Sequence, residues 1–108
     1  MKKRIITIAV MSILSIATAA FAEKPATQNT GEAKFKEHCA LCHPDGGNII
    51  NAKKTLHSKN LGASKIKSAA DIVKIMRNPG PGMNAFDVKT ISDRDAGEIA
   101  RYILKTFK

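Results

Sequence analysis

Apolar residues along this chain fall into three patterns separated by polar or Pro/Gly-rich breaks. The first is a continuous run, Ile5 to Ile16, behind a basic head of Met1, Lys2, Lys3 and Arg4 and ahead of Ala20, Phe21 and Ala22. The second is helical. Ile72 and Met76 lie one turn apart behind Ser68, a good N-cap, with Asp71 placed to complete something close to a capping box. The third runs through Ala96, Ile99, Ala100, Ile103 and Phe107 at the same spacing. Ser92 is its expected N-cap, and Asp93 and Asp95 in the first turn suit the helix dipole. A further helix is expected over residues 31–38, with Gly31 allowing another helix to approach closely and Phe35 set to pack against Ile99 and Tyr102. No two-residue alternation and no internal repeat is present, so the chain reads as all-α.

Basic head, short apolar run and small-residue exit are the parts of a secretory signal peptide, with cleavage expected after Ala22. The rival is an uncleaved anchor. The 18 residues from Ile5 to Ala22 just reach the spanning range. Several Ser and Thr and the Ala-Phe-Ala exit favour cleavage, and no Cys follows the run to take a lipid. The expected organisation is therefore a signal peptide over 1–22, a flexible polar lead over 23–30, and one domain over 31–108.

Removing 22 of the 108 residues leaves 86, and the three positive charges lost with them lower the formal charge from +9 to about +6. That modest charge, on a mature chain with four aromatic residues, does not argue for nucleic acid. It suits an acidic docking surface on a partner protein, where charge speeds the encounter. Lysines kept for solubility are the plainer reading. With the leader removed, no stable membrane insertion is expected.

The two cysteines stand three apart, in Cys39-Ala40-Leu41-Cys42-His43, and C-x-x-C-H is the signature of covalent haem attachment. Two thiols on one face of a helical turn can meet the same porphyrin edge as thioethers, and the histidine that follows can reach the iron as proximal ligand. Export supplies the compartment where such attachment is made. A thioredoxin-like dithiol would need a βαβ surrounding, and structural zinc would need a second pair of ligands; the sequence holds neither.

A second axial ligand must come from farther along the chain. Met1 and Met11 leave with the leader, and Met76 reads as helix core. Met83 lies in Asn78-Pro79-Gly80-Pro81-Gly82-Met83-Asn84-Ala85-Phe86, a segment no helix can occupy. Its prolines are stiff and its glycines let the backbone pass close to a flat ring, so Met83 is the expected distal iron ligand. His38 adjoins the attachment motif and cannot reach the opposite face. His57 lies in a Lys-rich stretch and reads as a solvated residue that could substitute if Met83 did not bind. Expected pocket residues are Pro44, Asn48, Ile49, Ile50, Leu56, Ile72 and Phe86, together with Leu61 and Ile75, the apolar ones also counted as core. The carbonyl of Pro44 or one in the 46–51 loop is expected to accept the other ring N–H of His43.

Cys39 to His43 with Gly46, Gly47 and Asn48, then Lys54-Thr55-Leu56, and the Pro79 to Phe86 segment together resemble class I cytochromes c. Within them the likeness is to the short cytochromes c6 and their non-photosynthetic bacterial relatives, over residues 31–107. The resemblance implies a cytochrome c fold, four to five short helices wrapped around one covalently bound haem c and its iron. It also implies a periplasmic carrier of single electrons between redox proteins, not an enzyme. Two departures stand out: Asn84 follows the distal Met where members often have Pro, and no Trp lies near Phe86. Both point away from a photosystem donor. Five lysines and no acid between Lys53 and Lys67 mark a possible docking face. The alternative function is a haem-based sensor or small-ligand binder in which Met83 detaches.

Overall fold

Four helices order the residues described by the computed structural model, 29–108. They are α1 (Asn29–His38), α2 (Ser58–Ala63), α3 (Ala69–Arg77) and α4 (Asp93–Thr106), with a short 3-10 turn at Pro44–Gly46. No strand occurs among the described residues, and the chain is all-α as expected. The expected signal peptide over 1–22 and most of the expected polar lead over 23–30 lie outside the described residues. Helix α1 begins two residues ahead of the expected Gly31.

Local chemistry explains where α3 and α4 start. The Ser68 hydroxyl accepts from Asp71 N, and the Asp71 carboxylate accepts from Ser68 N in return, a full capping box. The Lys67 N–H, which donates to the same carboxylate, and then the Ser68 bonds hold the Asp71 carboxyl below its ordinary range. Ser92 caps α4 by accepting from Asp95 N at 3.1 Å. Helix α2 was not legible in the sequence: it has six residues and no side-chain N-cap bond, so no pattern announces it.

Helix α4 packs against both α1 and α3. Its Ala96, Ile99, Ala100 and Ile103 are buried, joined by Phe35, Ile72 and Met76. Phe35 meets Tyr102 at a ring distance of 5.3 Å and Phe107 at 5.4 Å. Gly31 sits directly beneath the backbone carbonyl of Glu98, where a Cβ would collide with it, so α1 and α4 touch backbone to backbone. At the far end of α4 the Phe107 carbonyl accepts from Ser58 N at 2.9 Å and from the Ser58 hydroxyl at 3.2 Å. The Phe107 ring packs on Gly46, whose φ of 76° and missing side chain both suit that contact. His57 is exposed, its ring edge-on to Phe107 at 5.7 Å.

Three expected core residues are not core. Ile49 is 64% exposed, Ile50 65% and Ile75 39%. Ile49 and Ile50 ride on the loop after the attachment motif, and Ile50 and Ile75 line the cavities that open beside that motif, so none belongs to the α1–α4 seam.

Candidate haem site

The attachment motif continues the turn of α1. Cys39 N donates to Phe35 O at 2.8 Å, Cys42 N to Cys39 O at 3.2 Å, and His43 N to Cys39 O at 2.9 Å. Both cysteines are partly buried, and they form no disulfide with each other. Burial pushes the Cys39 thiol up to about 11. A reactive dithiol needs the opposite shift.

His43 leads into the 3-10 turn, and its Nδ1 lies 2.7 Å from the carbonyl oxygen of Gly47. A carbonyl only accepts, so Nδ1 carries the proton and Nε2 is left with its lone pair free for a metal. The candidate acceptors narrow to Gly47. The loop that holds this carbonyl is knotted by Asn48. Its Oδ1 accepts from Ile50 N and Asn51 N, both at 2.9 Å, and its Nδ2 donates to Lys54 O at 2.9 Å.

Two adjoining cavities open beside the motif. One of about 260 Å³ is lined by His38, Cys39, Cys42, His43, Ile50 and Phe86 among others. The other, of about 290 Å³, takes in Leu56, Leu61, Ile72, Ile75 and Met76. Cys39, His43, Asn48, Lys54, Pro81 and Met83 line both, so the two are parts of one slot. Each is close to the lower limit of about 300 Å³ common for ligand pockets. Loop 78–85 enters the slot from α3, with Gly82 at φ 90° and its α-carbon facing Ile50.

The donor set fits a haem: two thiols for attachment, an oriented imidazole, a thioether, and a largely apolar lining that accommodates a flat macrocycle. Asn48, Ile50, Leu56, Ile72 and Phe86 stand in that lining. Pro44 and Ile49 line neither cavity, a correction with a local cause. Pro44 is exposed because it starts the 3-10 turn, and Ile49 N is tied to Cys42 O at 3.0 Å with its side chain outward. Sequence reading missed His38, Asn51 and Lys54 in the lining, and it missed Arg77. The Arg77 side chain, 22% exposed, donates from Nη1 to Phe86 O at 2.9 Å and Ile91 O at 2.8 Å, and from Nη2 to Asp93 at 2.8 Å. No local pattern marks it, since its partners lie 9 to 16 residues away.

Comparison with known proteins follows the same lines. A family model described as cytochrome c oxidase, cbb3-type, subunit III matches residues 26–103. The cytochrome c6 of Cyanidium caldarium is 32% identical, over 96% of this chain and 94% of that protein. Among solved structures, OmcF, outer membrane cytochrome F from Geobacter sulfurreducens, is 41% identical with a TM-score of 0.70, covering 72% of this chain and 99% of that one. Cytochrome c6C from Synechococcus is 26% identical with a TM-score of 0.67, covering 72% and 94%.

Proposed function

Because this chain belongs to the cytochrome c family, as a class I c-type cytochrome close to the cytochromes c6 with one covalently attached haem c, we propose that it is an exported carrier with its iron held by His43 and Met83. It is a monohaem, c6-like electron carrier, and the finer reading adds the ligand pair, the compartment and the docking face. The observation that carries the ligand pair is that His43 and Met83 both line each half of one slot, at whose wall Cys39 also stands.

When bound, the haem supplies a one-electron couple at its iron. The chain's residues do the rest. Cys39 and Cys42 hold the group by thioether bonds. The Gly47 carbonyl orients His43 and keeps its proton on Nδ1. Ile72, Leu61 and Phe86 wall the slot against water, and a thioether from Met83 favours the reduced state more than a nitrogen donor would. With His43 and Met83 both bound, the iron would leave no open place for dioxygen or peroxide. That is why the reading is a carrier and not an enzyme.

Residues 1–22 support export to the periplasm with cleavage after Ala22. No helix among the described residues is long and apolar enough to cross a membrane.

The test is the visible spectrum of wild-type protein matured with haem. The weak red band of sulfur-ligated ferric haem is expected. A spectrum without it would remove Met83 as ligand and move small-ligand binding to the front.

Lys53, Lys54, Lys59, Lys65 and Lys67 are all exposed, and Lys54 borders both halves of the slot. That supports a basic rim around the haem edge, complementary to an acidic surface on a redox partner. Replacing Lys53, Lys54 and Lys59 together by Gln is expected to flatten the salt dependence of electron exchange with acidic partners. Stopped-flow rates across a range of ionic strength read this directly; an unchanged slope rules the rim out.

A further inference from the structure

The Met83 loop is tied at its base by a group that the haem reading does not use. Met76 O accepts from Phe86 N at 2.8 Å, which closes residues 77–85 into a loop at the end of α3. Arg77, the last residue of α3, then reaches across that base to Phe86 O and Ile91 O through Nη1 and to Asp93 through Nη2. Asp87 reinforces the far side: its carboxylate accepts from Lys89 N and Thr90 N, and its carbonyl accepts from Ile91 N. The Thr90 N–H first, then the Thr90 side chain and the Lys89 N–H, with a smaller contribution from the nearby Arg77 charge, hold the Asp87 carboxyl below its ordinary range. One guanidinium thus joins α3, the exit of the Met83 loop, the Asp87 turn and the start of α4. Between the anchors the chain is rich in Pro and Gly, with a turn at Pro81 and Gly82.

From this arrangement we infer that Arg77 is a positioning residue, whose two bonds to loop carbonyls hold Met83 in the slot and so set how readily an outside ligand displaces the thioether. The inference rests on the reading of Met83 as distal ligand. Charged donors make the stronger class of hydrogen bond, and two carbonyls that lose one are left partly buried without it. Opening of the loop is a local event, not global unfolding, so its cost is set by the bonds at its base. Arg77 and Asp93 also form an ion pair, but Asp93 is largely exposed and that bond is screened. The bonds to Phe86 O and Ile91 O are therefore the ones that govern the loop.

The experiment compares wild type, Arg77→Gln and Asp93→Asn as haem-loaded proteins. The probes are imidazole added to the ferric form and carbon monoxide added to the ferrous form. Intensity of the red band and a circular-dichroism melt are followed alongside. Arg77→Gln is expected to bind both probes about tenfold more tightly while keeping a cooperative melt. Asp93→Asn is expected to change either affinity by less than about threefold. If Arg77→Gln lowers the melting temperature but binds imidazole and carbon monoxide as wild type does, Arg77 is only a structural brace and the inference fails. Equal effects of the two variants would move the role to the ion pair and overturn it as well. Should Arg77→Gln fail to yield folded holoprotein, Arg77→Lys takes its place under the same thresholds, since its single ammonium cannot reach both carbonyls and Asp93 together. A wild type without the red band sinks the Met83 reading and this inference with it. A wild type that has the band, beside an Arg77→Gln that behaves identically, sinks this inference alone.

Discussion

Met83→Ala is expected to abolish the red band, open one axial position to carbon monoxide in the ferrous protein, and lower the midpoint potential. The physical reason is the loss of the soft sulfur donor, which favours ferrous iron. Axial ligation spans about 0.8 V across haem proteins, and a fall on the order of 100 mV is a modest share of that range. The fold should survive, because Met83 belongs to the loop over the slot and not to the buried seam of α1, α3 and α4. Absorption spectra, carbon monoxide titration and redox potentiometry read the three effects separately. If the variant keeps the wild-type band and potential, the ligand lies elsewhere. His57 is a poor substitute, since it is exposed and edge-on to Phe107 and lines neither half of the slot.

Gly31→Val should have the largest effect on stability. A Cβ at Gly31 would collide with the carbonyl oxygen of Glu98 and crowd the Cβ of Tyr102 at 3.1 Å. The Glu98 oxygen belongs to the backbone of α4, so it cannot turn aside as a side chain would. The helices must separate, and the Phe35, Tyr102 and Phe107 rings packed around that contact lose their geometry. Overpacking of this kind costs typically 1–3 kcal/mol, and with a backbone atom as the obstacle about 3 kcal/mol or more is expected. That is a large part of the roughly 5–15 kcal/mol that holds a domain folded. Denaturant titration of the holoprotein measures it, and a midpoint unchanged from wild type would mean that the two helices tolerate separation there.

These two residues show different routes from sequence to structure. Gly31 was legible as a close-approach position because it lies in the first turn of a helix that carries Phe35 one turn on. What it approaches is Glu98, 67 residues away, and only the packed pair identifies that atom. Met83 stood out because its Pro/Gly surroundings cannot form a helix, which is a local fact. Where the loop is tied down is not local.

The same division runs through the whole chain. Attachment chemistry, the caps at Ser68 and Ser92, and the apolar stripe of α4 depend on residues three or four positions apart, and helical geometry alone brings those together. The sequence by itself therefore determined the all-α class and the attachment motif of Cys39, Cys42 and His43, and it raised the expectation of Met83. Tertiary structure decided that the Gly47 carbonyl accepts the hydrogen bond from His43 Nδ1, that Ile49, Ile50 and Ile75 lie outside the core, and that Pro44 and Ile49 stand away from the slot. It also brought Arg77 against the Phe86 and Ile91 carbonyls beyond the Met83 loop. Each of these depends on where one backbone segment falls against another, and that placement follows from packing the whole apolar set around α4, not from any single stretch of chain.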